Sequence, residues 1–166
     1  KGLEAMLVKM SQEGLRVLAF ALKNNVSEEL KTKDIVGLTF VGFFGLKDTL
    51  RPEVHEAMKQ AISAGIKVVM ITGDHKITAA AIAKEAGIYH EGDTILTGED
   101  IDSLSDGELV DCLPKVSVFA RVTPEHKLKI VRAYKKRGEV GAMTGDGVND
   151  APSLVAADLG ISMGKI

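Results

Sequence analysis

Apolar positions along this chain switch between the period of a helix and that of a strand. Leu3, Met6, Leu7 and Met10 recur at helical spacing and predict an opening helix that Gly14 stops. Residues 15–21, Leu-Arg-Val-Leu-Ala-Phe-Ala, read as a strand, and the polar stretch 24–33 as a turn-rich connection. The longest uncharged apolar run is Ile35 to Leu46, twelve residues with three glycines and a threonine. A helical membrane span needs roughly twenty. The run therefore predicts a strand over 35–44, buried on both faces.

Beyond it the two periods alternate regularly. Pro52 stands where a first helical turn would begin, and Val54, Ala57, Met58, Ala61 and Ile62 mark one face of a helix closed by Gly65. Ile66 to Ile71 predicts a strand, Thr72-Gly73-Asp74 a turn, and His75 to Ala86 an alanine-rich helix ended by Gly87. The more polar stretch 93–111 predicts a short strand and two short helices. Val116 to Ala120 is another strand, and Thr123-Pro124 opens a basic helix that runs to Arg137. Val140 to Met143 and Leu159 to Ser162 are the last two strands. Strands alternating with helices imply parallel βαβ units and a sheet covered on both faces, with ligands beyond the carboxyl ends of the strands. Both Thr-Gly-Asp turns, at 72–74 and 144–146, follow predicted strands and fall on that edge.

Composition narrows the class. At 166 residues the chain has the size of one domain with an appendage, and its 45% hydrophobic content can bury a real core. A net charge of −2 and 4% aromatics give no case for nucleic acid. The single Cys112 excludes an intramolecular disulfide and fits a reducing compartment. No signal-peptide pattern opens the sequence, which reads as soluble.

The chemistry concentrates in Met143-Thr144-Gly145-Asp146-Gly147-Val148-Asn149-Asp150-Ala151-Pro152. Two carboxylates four residues apart, on a glycine-flexed turn after a strand, suit Mg²⁺, which takes one or two carboxylates and leaves room for water and phosphate. Thr72 offers a hydroxyl and Gly73 a backbone N–H to a phosphoryl oxygen. Lys127 lies near a helix start, where anions are already favoured. Each piece also has a plainer reading: a turn with a side-chain cap at 72–74, a solvated lysine at 127, a helix cap at 150. Charge neutralisation and positioning are the main needs of phosphoryl transfer, and the set supplies both. No nucleophile is obvious. No P-loop occurs, Gly145-x-Gly147-x-x-Asp150 lacks the third glycine of a dinucleotide fingerprint, and His55, His75, His90 and His126 lack the pairing of a zinc site and read as surface or capping residues.

These segments resemble the phosphorylation domain of P-type cation-transporting ATPases, which has a haloacid-dehalogenase-like (HAD) fold. The resemblance rests on Met70-Ile71-Thr72-Gly73-Asp74, on residues 118–127 (Val-Phe-Ala-Arg-Val-Thr-Pro-Glu-His-Lys), and on 144–152, in that order and spacing, from about Leu15 to the end. Asp48-Thr49-Leu50-Arg51 is similar to the family's Asp-Pro-Pro-Arg hinge, with both middle positions changed. The resemblance implies an α/β HAD-like fold, a mostly parallel Rossmann-type sheet with helices on both faces, incomplete at its N-terminal strand. It implies residues 1–33 as the end of a nucleotide-binding domain and hinge, and 34–166 as the truncated phosphorylation domain.

The same resemblance implies roles. Asp146 would hold Mg²⁺, with Asn149 and Asp150 completing the metal-phosphate shell, and Lys127 would contact the transferred phosphoryl group. Thr72, Gly73 and Asp74 would hold the phosphate and the nucleotide end. Asp48, Arg51 and Arg121 would lie near the hinge and the ATP sugar or phosphates, and Arg16 would reach the ATP phosphates from the last nucleotide-domain strand. The motif wording is closer to the branch with calcium and sodium/potassium pumps than to heavy-metal pumps, although the ion itself cannot be read from this chain.

Departures from the family pattern matter as much. The family's phosphorylated Asp-Lys-Thr-Gly-Thr is absent, as is the actuator domain's Thr-Gly-Glu in a suitable context. Asp100-Ile101-Asp102-Ser103 is a poor substitute nucleophile, lacking a preceding apolar strand. The expectation is a soluble, cytoplasmic-side piece of a longer membrane pump, with ATP and Mg²⁺ as ligands and the other domains, membrane helices included, as partners. Alone it would be inactive and would self-associate through exposed strand edges. The alternatives are a non-catalytic HAD-like binding or regulatory module and, more remotely, a free-standing HAD phosphatase.

Overall fold

In the computed structural model the described residues are 2–24, 32, 35–47, 49–145 and 148–163. They fall in two compact units, Lys1–Thr49 and Leu50–Ile166. In the first, helix α1 (Gly2–Gln12) precedes an antiparallel ribbon of β1 (Arg16–Leu22) and β2 (Thr39–Leu46). Gly45 leaves room there for the ends of the Met10 and Leu15 side chains, each of which would lie 2.9 Å from a Cβ at that position. Phe20 and Phe44 meet edge-on across the ribbon at 6.5 Å between centroids, a contact that typically adds about 1 kcal/mol beyond burial.

The structure corrects the reading of the long apolar run. Its strand begins at Thr39 rather than at residue 35, and it is not buried on both faces: Val41 is 61% and Phe44 57% exposed. The physical reason is that a two-stranded ribbon with one helix beside it cannot cover both faces. The strand that sequence grouped with the second domain thus pairs with β1 inside the first unit.

The second unit carries the parallel strands. Helix α2 (Val54–Ser63) ends as expected at Gly65, whose positive φ of 75° permits the backbone bond from Ile66 N–H to Ala61 at 2.9 Å. Then follow β3 (Met70–Ile71), α3 (Lys76–Glu85), β4 (Thr94–Thr97), α4 (Gly98–Ser103), α5 (Asp106–Cys112), β5 (Val116–Ala120), α6 (Pro124–Lys136), β6 (Ala142–Gly145), α7 (Ala151–Ala156) and β7 (Leu159–Ser162). Strand β3 is shorter than the apolar run 66–71 suggests, because only Met70 and Ile71 pair with β5. Lys67, upstream, instead donates to the carbonyls of Leu113 and Pro114 at 2.7 and 2.8 Å.

Strands β3, β5 and β4 form one parallel sheet, in that order, and β6 and β7 a separate parallel pair. The central β5 is buried along its whole length, as a strand covered on both faces must be. Val116 and Phe119 pack with Ile101 of α4, Leu109 of α5, and Ile130 and Ala133 of α6. Val118 and Ala120 face Ala79 and Ala83 of α3. Helices thus lie on both faces of an α/β parallel sheet. No helix among the described residues is long and apolar enough to cross a membrane.

Candidate active site

Thr72–Asp74 and Arg121, and Lys127 with Asp150, lie where strands of the second unit end. Strand β3 delivers Thr72 into a tight turn: its hydroxyl donates to Asp74 Oδ2 at 2.9 Å and accepts from Asp74 N–H at 3.1 Å. The hydroxyl is therefore part of the turn, as the plainer reading of Thr-Gly-Asp had it. Gly73 stays approachable, since a Cβ there would meet nothing within 4 Å. The turn is sewn to the end of β5 by Arg121 N–H to Asp74 O at 2.9 Å and Val122 N–H to Thr72 O at 3.2 Å. Arg121 adopts φ 54°, a left-handed conformation uncommon for a residue with a side chain, and its side chain is exposed.

From there Thr123 caps α6. Its hydroxyl accepts from His126 N–H at 3.4 Å, and His126 Nδ1 accepts from Thr123 N–H at 3.1 Å, a reciprocal capping box. Lys127 follows on the first turn, and its Nζ meets Asp150 Oδ1 at 2.5 Å. The two side chains are only 19% and 9% exposed, so this is no solvated helix lysine. Asp150 stands at the N-cap of α7, yet its side chain makes no capping bond. Its carboxylate lies against the end of β6: a Cβ on Gly145 would come within 2.8 Å of Oδ2. Asn149, which is exposed, precedes it on the 3-10 turn Val148–Asp150.

The structure thus forms two groups, Thr72–Asp74 with the Arg121 backbone, and Lys127 with Asp150 and Gly145. Arg51 is exposed at the start of the second unit, and Arg16 opens β1 in the first. Asp48 and Asp146 lie outside the described residues. Among the described residues no cluster of three or more His, Cys, Asp or Glu side chains could hold a metal. Asp150 still offers Oδ2 as a hard oxygen at the strand end, and Mg²⁺ needs as few as one or two carboxylates besides phosphate and water.

Asp100, the weak substitute nucleophile, completes the capping box of α4 from its third helical position, with Thr97 as the cap. Its Oδ2 accepts from Thr97 N–H at 2.7 Å and from the Thr97 hydroxyl at 2.8 Å, and those bonds, the backbone one foremost, hold its carboxyl below the ordinary range. Two histidines do cap: His75 accepts from Ile77 N–H at 3.3 Å, and His126 as described. What sequence reasoning missed is the other ring nitrogen of His126, 2.9 Å from Asp102 Oδ1. The spacing Thr123-x-x-His126 signals the cap, while nothing in sequence signals the bond to Asp102.

Residues 6–158 match the haloacid dehalogenase-like hydrolase family. The chain is 50% identical over 157 residues to "Calcium-transporting ATPase 1" of Lactococcus lactis, covering 93% of this chain and 18% of that protein. It is 48% identical over 161 residues to the protein of the same name in Saccharomyces cerevisiae, covering 95% and 17%. To human "Calcium-transporting ATPase type 2C member 1" it is 43% identical over 157 residues, covering 95% and 16%. The chain therefore spans less than a fifth of these relatives.

Proposed function

The chain belongs to the haloacid dehalogenase-like hydrolase family, and we propose that it supplies the Mg²⁺ and phosphate site of an ATP-driven cation pump. The likeness to calcium-transporting ATPases makes Ca²⁺ the ion we assign to the whole protein. The observation that carries this reading is the Lys127–Asp150 pair, a cation and a carboxylate held together at a strand end inside a chain so similar to those proteins.

In this reading Lys127 neutralises charge on the transferred phosphoryl group, and Asp146, Asn149 and Asp150 hold Mg²⁺, which when bound neutralises charge on phosphate oxygens. The open Gly73 N–H, with Thr72 and Asp74 fixing its turn, holds a phosphoryl oxygen. Arg51, Arg121 and Asp48 serve the nucleotide end. The first unit contributes the edge of a nucleotide-binding domain, including Arg16. The sequence holds no Asp-Lys-Thr-Gly-Thr, so we assign the phosphorylated aspartate to another part of a longer protein. That protein would place this portion on the cytoplasmic side of its membrane helices. Outside it, the exposed apolar residues of β1 and β2, with the unpaired strand edges, favour self-association.

The test is twofold. The chain should bind inorganic phosphate only with Mg²⁺, by ³¹P NMR titration, and Lys127→Met should abolish this. With ATP and Mg²⁺ it should form no hydroxylamine-sensitive phosphoprotein; formation of one would place the acceptor inside this chain and overturn the reading.

A further inference from the structure

We propose that His126 is a positioning residue for Lys127, tying the first turn of α6 to α4 so that the ammonium arrives at Asp150. The proposal rests on the phosphate-site reading of Lys127 given above. A capping box is complete with Glu or Gln at its third helical position, because capping asks only for one acceptor to reach back. Histidine brings a second ring nitrogen that the cap does not use. Since Nδ1 accepts from the Thr123 N–H, that nitrogen carries the lone pair, and the ring proton sits on Nε2. Nε2–H then donates to Asp102 Oδ1 at 2.9 Å.

The ring has little freedom. Its side chain is 14% exposed, whereas Asp102 is 69% exposed, so the acceptor reaches in from the surface. Gly98, the first residue of α4, lies directly against it: a Cβ there would come 2.7 Å from His126 Cε1 and 2.6 Å from the Arg121 carbonyl. Lys129 repeats the attachment, donating to the carbonyls of Ile101 and Leu104 at 2.9 and 3.2 Å. Residues 126 and 129 share a helix face, and that face is fastened to α4. Lys127, ~100° further round the helix, is thereby turned to Asp150. The helix that carries the cation is fixed in rotation by its neighbours on the chain.

The variant His126→Glu separates capping from tethering, because a glutamate carboxylate completes the capping box but has no N–H to donate to Asp102. In the full chain it should melt close to the parent, move the ¹H–¹⁵N signal of the Lys127 ammonium, and weaken Mg²⁺-dependent binding of inorganic phosphate about fivefold, the scale of one hydrogen bond. Asp102→Ala should do the same, Asp102→Asn, which keeps an acceptor oxygen, should restore both readouts, and the double variant His126→Glu/Asp102→Ala should be no worse than either single one. Should His126→Glu fail to fold, the two Asp102 variants decide alone. An unmoved Lys127 signal in the folded variants overturns the tether. Absence of phosphate binding in the parent chain overturns the phosphate-site reading instead, and the Lys127 signal still decides the tether.

Discussion

Lys127 and Asp150 are joined at 2.5 Å across 23 residues of sequence, and Asp150 forgoes the capping bond that its place at the start of α7 invites. A buried carboxylate that makes no capping bond at its own helix start and turns to a lysine is held by charge. Removing one partner leaves the other uncompensated. Fully buried pairs lose ~3–5 kcal/mol this way, and this pair, partly open on the lysine side, should lose about 2 kcal/mol on Lys127→Met. Urea unfolding of Lys127→Met, Asp150→Asn and the double variant checks this. Coupling predicts that the double variant loses less than the sum of the singles, and additive losses would remove the pair from the account.

Much of this site was legible in the sequence, and for identifiable reasons. Local signals found α6, since Thr123-Pro124 is a cap followed by proline, and found β5, whose unbroken apolar run is what a strand covered on both faces requires. That Lys127 and Asp150 converge on the strand ends was legible from residue type and element order, but their direct ion pair was not, because charge periodicity makes Lys127 one more lysine of a basic helix. The apolar run 35–46 misled because apolar character reports what a strand can bury, and β2 in its two-stranded ribbon has too few neighbours to bury it. The bond of His126 to Asp102 was not legible at all, since it joins helices 24 residues apart through a nitrogen that the cap leaves over.

Gly145 should be intolerant of any side chain. A Cβ there would stand 2.6 Å from the Asp150 Cβ, closer than side-chain carbons ever approach, and the neighbour is a short side chain fixed by Lys127. Gly145→Ala is expected to cost about 1–3 kcal/mol and to displace the carboxylate from the strand end. Gly141→Ala is the control, because a Cβ at Gly141 meets nothing within 4 Å. Equal stability of the two variants by urea unfolding would contradict the packing described.

Acid should weaken the fold partly through Asp100. Its carboxyl is held below the ordinary 3.8 by the Thr97 N–H and hydroxyl, so the unfolded chain takes up the proton first. The contribution is complete above about pH 5 and is lost as pH falls through the lowered native value. Asp93, held down by His90 N–H and the Ser117 hydroxyl, acts in the same direction. Asp100→Asn should therefore melt below the parent at pH 7 and approach it at pH 3. A difference that stays constant between those pH values would show that the charge plays no part.

Arg121 tests whether backbone or guanidinium is what its position demands. Its φ of 54° lets the N–H reach the Asp74 carbonyl at 2.9 Å, while its own carbonyl packs where a Cβ on Gly98 would have to go. A residue with a Cβ loses roughly 1–2 kcal/mol in that region, and a β-branched one more. Glycine avoids the strain but gives back part of it through the larger freedom of the unfolded chain. Arg121→Gly should accordingly be at least as stable as the parent, and Arg121→Val less stable by about 2 kcal/mol. If the exposed guanidinium serves the nucleotide end, Arg121→Gly should also weaken ATP binding to the intact protein while leaving Mg²⁺-dependent phosphate binding to this chain unchanged. A loss of phosphate binding as well would mean that the Arg121 side chain acts at the Lys127 end, and a destabilised Arg121→Gly would mean that the left-handed backbone there is not strained.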